Sequence, residues 1–290
     1  MKLRPPLNHA QRGFTMIEAV MVIVMTGLLM VVVAQFIVPP VQIYLNTSER
    51  TQRVNEADLS LRRIARDLAQ ALPNSVRVIS TATSSTLELI PTTGAARYAT
   101  EGAGKLDFGM LDTSFDLVGP ALQLAANQEL VFNNLGPSVP DANAYASNSG
   151  AAAQAVSNRR TAANAAGSAS TITLNSVAAL PVQLLAPPFR VHAVTQPVSY
   201  RCDLSAGTLT RYSAYGFQST QPDPPTGATT ALMARGVSAC SFSYENAIVA
   251  ARAALVTLSL SLRSTVEASG TGTANETVSL YRAVHVDNAP

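Results

Sequence analysis

The most pronounced hydrophobic pattern is an apolar run close to the start of the chain. From Ala19 to Ser48 there is no charged residue, and the stretch from Ala19 to Val38 is almost wholly apolar. About 20 such residues are enough for a helix to cross the hydrocarbon core of a bilayer. The sequence therefore predicts a transmembrane helix over residues 14–38.

One acidic residue, Glu18, directly precedes this run and lies inside the predicted helix. On insertion scales a carboxylate at the centre of a membrane helix costs roughly 2.5–3.5 kcal/mol. A secretory signal peptide explains the run poorly, because the sequence that follows, "FIVPPVQIY", offers no small-residue cleavage site. A simple membrane anchor accounts for the apolar residues but gives no reason for Glu18.

Three basic residues, Lys2, Arg4 and Arg12, precede the run, and no acidic residue accompanies them. An excess of Lys and Arg marks the cytoplasmic side of a membrane segment. We therefore expect residues 1–13 to stay in the cytoplasm and the rest of the chain to be exported. The formal net charge is +2, so the chain beyond the leader is close to neutral and gives no reason to expect a nucleic-acid partner.

Beyond the prolines Pro39 and Pro40, which should kink or interrupt the helix, the pattern turns amphipathic. Apolar residues then recur every three or four positions, and charged residues fill the other faces. This stripe consists of Val54, Ala57, Leu61, Ile64, Leu68 and Leu72. It covers few heptads and stops at Pro73, so packing against the protein's own globular part is favoured over a coiled coil. We predict an amphipathic helix over residues 39–73.

Residues 74–290 have the short strand-like segments of a β-rich head. In "VTLSLSLR" the apolar residues Val256, Leu258, Leu260 and Leu262 alternate with Thr and Ser, which is typical of a half-buried antiparallel strand. "STVEASGTGTAN" indicates an extended hairpin loop. Residues 137–170 are rich in Ala, Ser and Asn without a strand period, and we expect a flexible surface insertion there. The fold class is α+β, a long N-terminal helix packed on a mainly antiparallel sheet. The remaining strand-like segments are "SVRVIS", "STLELI", "QELVF", "STITL", "FRVHAV", "VSYRC", "TLTRY", "CSFSY" and "ETVSLYRAVHV".

No catalytic or metal-binding constellation is present in the sequence. His285 and Asp287 would share one face of a strand, but no GxSxG element, phosphate-binding loop or dinucleotide fingerprint accompanies them. Asp141 and Asp223, with Asp287, lack the spacing of a calcium loop. The two cysteines form no CxxC and the three histidines are scattered, so zinc is disfavoured. We expect no enzyme activity, no cofactor and no metal.

The N-terminal residues carry a family resemblance. A short basic leader, then Gly13-Phe14-Thr15-Met16-Ile17-Glu18, then an apolar helix resembles the prepilin signature of type IV pilins and pseudopilins. The resemblance implies that prepilin peptidase cleaves between Gly13 and Phe14, removes the leader 1–13 and N-methylates Phe14. It gives Glu18 a docking role, in which its carboxylate meets the new amine of a neighbouring subunit in the membrane or filament.

The resemblance also implies a compartment and partners. The protein would be a single-pass inner-membrane protein with its head in the oxidising periplasm, where Cys202 and Cys240 would form a disulfide rather than remain thiols. The expected partners are prepilin peptidase, major and minor pilin subunits and the inner-membrane assembly platform. After assembly, the head would lie at the pilus tip on the cell surface.

Shorter segments resemble a subgroup of this family. "LRRIARDLAQALPNSVRV" is similar to minor pilins and pseudopilins that cap filaments, and "SYRCDL", "CSFSY" and "VHVDNAP" are similar to MshO-like minor pilins of the mannose-sensitive haemagglutinin (MSHA) pilus. Initiation or tip capping of such a pilus is the function this favours. A large minor pseudopilin of type II secretion, and a tip adhesin or DNA-uptake module, are the alternatives.

Overall fold

The computed structural model describes residues 13–246, 253–263 and 277–289. Most of the basic leader and the extended hairpin loop "STVEASGTGTAN" lie outside the described residues. The chain divides into two compact units, Met1–Gln52 and Arg53–Pro290. The first contains the apolar helix, and the second contains the head and the amphipathic turns that pack on it.

Two helices cover the N-terminal part of the chain. Helix α1, Met16–Phe36, is apolar on all sides, and none of its residues is buried. Helix α2 is Val38–Ala69, so the helix is interrupted at Ile37, two residues before Pro39 and close to the point that the proline pair predicts. The prolines fall in the first turn of α2, where a missing backbone N–H removes no helical hydrogen bond.

The head consists mainly of short strands, and every pairing between its described strands is antiparallel. A short helix, α3 (Ala151–Gln154), and one 3-10 turn, Val182–Leu184, interrupt them. The strands are β1 Arg77–Ser80, β2 Ser84–Leu89, β3 Thr92–Tyr98, β4 Ser114–Val118, β5 Leu122–Leu124, β6 Glu129–Phe132, β7 Arg159–Thr161, β8 Gly167–Ala169, β9 Thr171–Thr173, β10 Arg190–Val194, β11 Val198–Asp203, β12 Thr208–Ser213, β13 Thr229–Arg235, β14 Val237–Asn246, β15 Ala253–Arg263 and β16 Thr277–Asp287.

These strands form four sheets. A five-stranded sheet has the order β1-β2-β11-β12-β13, and a six-stranded sheet has the order β7-β6-β10-β3-β4-β9. The chain ends in the three-stranded meander β14-β15-β16, and β5 pairs with β8. An apolar helix followed by a mainly antiparallel β domain confirms the predicted α+β fold class.

The main core lies where α2 packs on the five-stranded sheet and the three-stranded meander. Ala57, Leu61, Ile64 and Leu68 of α2 are at most 2% exposed and join one cluster with residues of both sheets. Packing of the helix against its own head is therefore confirmed over a coiled-coil seam. Val54, at the start of the predicted stripe, is exposed instead.

The alternation predicted for the β15 segment is confirmed. Its four apolar residues, Val256 to Leu262, are at most 1% exposed, while the Thr and Ser residues between them are partly exposed. β15 is the central strand of the meander, so its inner face is covered by the main core and its outer face is open.

The segment 137–170 is not the surface insertion that its composition predicts. It contains α3, β7 and β8, and it buries Ala142, Tyr145 and Ala162 in the cores of the six-stranded sheet and the region beside it. Arg160 is fully buried, and its guanidinium donates to the backbone oxygens of five residues. Those acceptors are Gln154, Ser157, Arg159, Ala178 and Ala179. The sequence of this segment shows no alternation of apolar and polar residues because β7 and β8 have only three residues each.

Cys202 on β11 and Cys240 on β14 form a disulfide, with their Cα atoms 6.3 Å apart. The bond links the five-stranded sheet to the three-stranded meander across the main core. Cys202 is fully buried, and 38 positions separate the two residues. The disulfide that the periplasmic compartment implied is therefore present.

His192 on β10 is a buried histidine whose Nδ1 has no hydrogen-bond partner among the described residues. Burial, and to a smaller extent the nearby charge of Arg190, lowers the pKa of His192 to about 4, although Asp287 acts in the opposite direction. The folded head therefore holds this imidazole neutral.

Removing the disulfide should destabilise the head. For a loop of this length the chain-entropy account of a disulfide gives roughly 3–4 kcal/mol. We expect the double variant Cys202→Ala/Cys240→Ala, purified in detergent, to unfold at lower guanidinium concentration than the wild type. Tyrosine fluorescence can follow unfolding because the chain has no tryptophan. Ser241→Ala, an exposed change on the same strand, is the matched control and should leave the midpoint in place. Equal midpoints for the double variant and the wild type would contradict this role.

Acid should destabilise the wild type more than a variant that lacks the His192 imidazole. The unfolded chain takes up a proton near the ordinary histidine pKa of 6.5, whereas folded His192 resists it until about pH 4. The contribution of neutral His192 to the free energy of unfolding is therefore fully present above pH 6.5, and it is lost as the pH falls towards 4. The loss should reach about 3 kcal/mol relative to His192→Gln. Denaturation curves of both proteins between pH 7 and pH 4 measure this difference, and parallel curves would refute it.

Candidate functional site

The candidate processing and docking segment begins with three residues outside any helix, Gly13 to Thr15. Thr15 has an extended backbone and is the N-cap of α1. Its hydroxyl accepts from the backbone N–H of Glu18 at 3.4 Å, and the Glu18 carboxylate accepts from the backbone N–H of Thr15 at 3.5 Å. This reciprocal arrangement is a capping box, which satisfies two of the free N–H groups at a helix start.

The capping box gives Glu18 a partner within its own chain, in addition to the partner expected in a neighbouring subunit. Both hydrogen bonds are long, and a carboxylate has about four acceptor positions, so the group retains capacity for a further cation. Its negative charge also lies in the first turn of α1, where the helix dipole favours it. This capping box can be recognised in the sequence, because Thr15-Met16-Ile17-Glu18 matches the S/T-x-x-E pattern of capping boxes.

Gly13 has no packing role among the described residues. A Cβ placed on it would meet no heavy atom within 4 Å, and its φ lies outside the left-handed region. Phe14, the next residue, is 68% exposed. The described residues therefore give no packing reason for glycine at this position, and Phe14 on the other side of the peptide bond is exposed.

The surface of α1 is apolar except at Glu18, Thr26 and Gln35. It is the one helix among the described residues that is long and apolar enough to span a membrane. The Thr26 hydroxyl needs no polar partner outside the helix, because it donates to the backbone oxygen of Val22 at 2.7 Å. A helix that is apolar on all sides requires an apolar environment, which is either lipid or other apolar helices.

The Arg63 and Asp67 pair, part of the segment that resembles capping subunits, fixes α2 to the head. Asp67 accepts from the Tyr200 hydroxyl at 2.6 Å and forms ion pairs with Arg63 at 3.3 Å and Arg211 at 3.5 Å. Burial raises the pKa of Tyr200, and its hydrogen bond to Asp67 raises it further. These contacts orient the helix on the five-stranded sheet.

The Pro73-Asn74-Ser75 part of the same motif forms the turn that leaves α2. Asn74 has a left-handed backbone, with φ of 57°. Its side chain donates to the backbone oxygens of Asn134 at 2.9 Å and Asn288 at 3.1 Å. The Asn134 side chain in turn donates to the backbone oxygen of Pro73 at 2.7 Å. Three asparagines thus join the end of the helix to the six-stranded sheet region and to the C-terminal residues.

A buried charge network was missed by sequence reasoning. The carboxylate of Glu88 on β2 is fully buried, where it pairs with Arg77 and accepts from the Tyr215 hydroxyl at 2.7 Å. Burial raises the pKa of Glu88, while Arg77 acts in the opposite direction. The Arg77 guanidinium also lies 3.6 Å from the ring centre of Tyr145 and donates to the backbone of residues 218 and 219. Nothing in the spacing of these residues along the chain indicates that they meet.

The residues considered for catalysis or metal binding are not assembled into a site. His285 and Asp287 are exposed at the end of β16, where Asp287 accepts from the backbone N–H of Ala289 at 2.9 Å. Asp223 is bound by Arg201 and the hydroxyls of Ser84 and Thr86. Within the described ranges, no group of three metal-ligating side chains is close enough to hold an ion.

The comparison with known families identifies the N-terminal segment. Residues 8–34 match the family model described as the prokaryotic N-terminal methylation motif. No curated protein and no solved structure matches the chain. The match covers the segment from the leader into α1, including Gly13, Phe14 and the capping box. It implies processing by prepilin peptidase and assembly with other pilins, and it indicates a structural subunit rather than an enzyme. The chain therefore has a prepilin-type N-terminus with a single-pass apolar helix, which supports its assignment to the type IV pilins and pseudopilins.

Proposed function

We propose that this protein is a minor pilin or pseudopilin that acts in the initiation or tip capping of a type IV pilus of the MSHA type. The observation that carries the proposal is the N-terminal segment, in which an open Gly13-Phe14 bond precedes a capped helix that is apolar beyond Glu18 except at Thr26 and Gln35. Cleavage at that bond removes the basic leader and retains the helix. The retained helix then supplies the apolar surface on which filament subunits assemble.

Glu18 is the docking residue in this proposal. Hydrolysis of the Gly13–Phe14 peptide bond leaves a carboxylate on Gly13 and frees a cationic amine on Phe14, four residues before Glu18. A separate transfer of a methyl group from a methyl donor then N-methylates this amine. The capping box holds the Glu18 carboxylate at the start of α1, and its remaining acceptor positions face the surroundings of the helix. Pairing with the amine of a neighbouring subunit would offset the cost of placing each charge in a medium of low dielectric.

The size of the head supports a position at the end of the filament. In the unit from Arg53 to Pro290, the residues that the structure describes form four sheets and three clusters of buried apolar residues. A head this large is difficult to repeat at every layer of a helical filament, whereas the first layer has free space on one side. We therefore place the protein in the inner membrane with a periplasmic head before assembly, and at the pilus tip afterwards. The assembly platform and the other pilins are its partners, and nucleic acid is not.

Glycine at position 13 should be required for cleavage and dispensable for folding. We expect Gly13→Ala to leave the precursor stable in the membrane and to abolish its conversion by prepilin peptidase, because the peptidase must approach the backbone closely there. Intact mass spectrometry of membrane extracts, with and without active peptidase, detects a mature chain that begins at methylated Phe14.

Gly27 is the matched control, since a Cβ on that residue also meets no heavy atom within 4 Å. Gly27→Ala should be cleaved normally. An uncleaved wild-type chain beside active peptidase, or normal cleavage of Gly13→Ala, would contradict the assigned site.

Loss of the charge on Glu18 should impair assembly more than processing. Glu18→Gln keeps a side chain that can accept from Thr15, so we expect cleavage and membrane insertion close to normal. Incorporation into sheared filaments should fall about tenfold, since one charged partner is lost from a buried pair. For an initiating subunit, the number of filaments per cell falls with it.

Immunoblots of sheared filaments and electron microscopy of the cells measure the two quantities. Glu101→Gln removes an exposed head carboxylate and should change neither. Equal incorporation of Glu18→Gln and the wild type would refute a docking role.

A further inference from the structure

The open edge of the three-stranded meander is unusual among the sheet edges of the head. β16 has 11 residues and pairs with β15 along its whole length without a shift in register. Among the described residues it pairs with no other strand. Every second residue of such an edge directs unpaired backbone N–H and C=O groups outward.

The other edges are short or irregular. β1, β7 and β9 have three or four residues each, and the pairing of β13 contains a register shift. β14, at the opposite side of the meander, also has a register shift, and Phe242 donates its backbone N–H to the Ser85 hydroxyl of the five-stranded sheet. β16 is thus the one long, regular edge among the described strands. Proteins commonly shorten or distort such edges to prevent unwanted pairing.

The inner row of β16 is incompletely covered. Leu280 and Val284 are only partly buried at the margin of the main core, whereas the β15 residues opposite them, Leu260 and Val256, are at most 1% exposed. The core is therefore open along this edge. An added strand with apolar residues at alternate positions would cover it.

One charged side chain, that of Arg282, lies at the centre of the inner row of β16. Arg282 lies opposite Leu258 and has no ion-pair or hydrogen-bond partner among the described residues. An inward-facing charge on an edge strand discourages pairing with uncharged strands. It therefore makes the edge selective, because a strand that places a carboxylate opposite Arg282 would gain an ion pair at the margin of the core.

Arg282 also argues against pairing of β16 with the β16 strand of a second copy of this chain. Val278, Leu280, Val284 and Val286 are arranged symmetrically about Arg282. Two antiparallel β16 strands that align all four apolar positions would place the two Arg282 side chains directly opposite each other. Like charges in that position are destabilising.

On the outer face of β15 and β16, the central side chains are uncharged and most of them are small. Ser259 and Ser261 of β15 lie next to Tyr281 and Ser279 of β16, and the hydroxyls of Ser261 and Ser279 are 2.8 Å apart. Tyr281 is 68% exposed and stands above this flat surface. Exposed tyrosine is enriched at the centres of protein interfaces.

We propose that β16 accepts an extended strand from the head of a different filament subunit, with apolar residues at alternate positions and a central acidic residue opposite Arg282. The proposal rests on the proposed function only for the source of the strand. Backbone hydrogen bonds to the edge provide binding, and the ion pair with Arg282 provides selectivity. The meander becomes four-stranded, and the added strand completes the cover of the main core.

A peptide with this pattern tests the proposal. The probe is fluorescein-labelled Thr-Val-Thr-Leu-Thr-Glu-Thr-Val-Thr-Val-Thr, and its matched control has Lys in place of Glu. Fluorescence anisotropy with the full-length precursor in detergent should show about tenfold tighter binding of the Glu peptide. In Arg282→Glu the preference should reverse, and in Arg282→Gln it should disappear. The retained Cys202–Cys240 disulfide and an unchanged circular dichroism spectrum show that each variant is folded.

N-methylated peptides test the binding mode. Methylation of alternate backbone nitrogens on one side of the peptide should abolish binding, and methylation on the other side should not, because only one side faces the edge. Absence of peptide binding, or equal binding of the Glu and Lys peptides, would overturn the proposal. Self-association of the wild-type chain that the peptide competes away would assign the edge to a second copy and overturn it as well. The precursor is used uncleaved, so the outcome is independent of processing and of filament assembly.

Discussion

The head depends on the burial of one stripe of α2 in the apolar core that it shares with two sheets. Ala57, Leu61, Ile64 and Leu68 belong to the same apolar cluster as the inner faces of the five-stranded sheet and the meander. The two sheets also contact each other directly, since Phe242 of β14 donates its backbone N–H to the Ser85 hydroxyl of β2. The Cys202–Cys240 bond crosses the same core, and Asp67 joins the helix to Tyr200 and Arg211 at its margin. Removing the helix would therefore take apolar cover from both sheets.

The turn at the end of that helix connects the main core to the rest of the head. Asn74 and Ser75 receive contacts from residues far away in the chain, since Tyr145 donates to the Ser75 carbonyl at 2.7 Å and Asn288 accepts from the Asn74 backbone. The position of α2 is in this way coupled to the segment 137–170 and to the C-terminal residues.

The parts of the fold that were predictable have strong local patterns. The apolar run, the stripe of α2 and the alternation in β15 each place one kind of residue on one face, and simple periodicity is sufficient to read them. Strands β3, β4, β5, β7, β8 and β13 were missed, because they are short, rich in Ala, Thr and Gly, or exposed on both faces. Residues 137–170 were interpreted as a surface insertion because small residues without a period resemble a loop, although long-range pairing with β5 and β6 orders them.

At the N-terminus, the sequence alone determined the candidate site. The residues Gly13 to Glu18 and the apolar helix are contiguous, so their chemistry and spacing can be read without a fold, and even the capping box follows from Thr15 and Glu18 being three positions apart. Tertiary structure decided everything that requires distant residues to meet. The burial of Glu88 beside Arg77, the neutral state of His192, the asparagine contacts at the helix end and the open edge at β16 all depend on strand order. Sheet pairing between distant segments leaves no local period, so it cannot be read from either segment by itself.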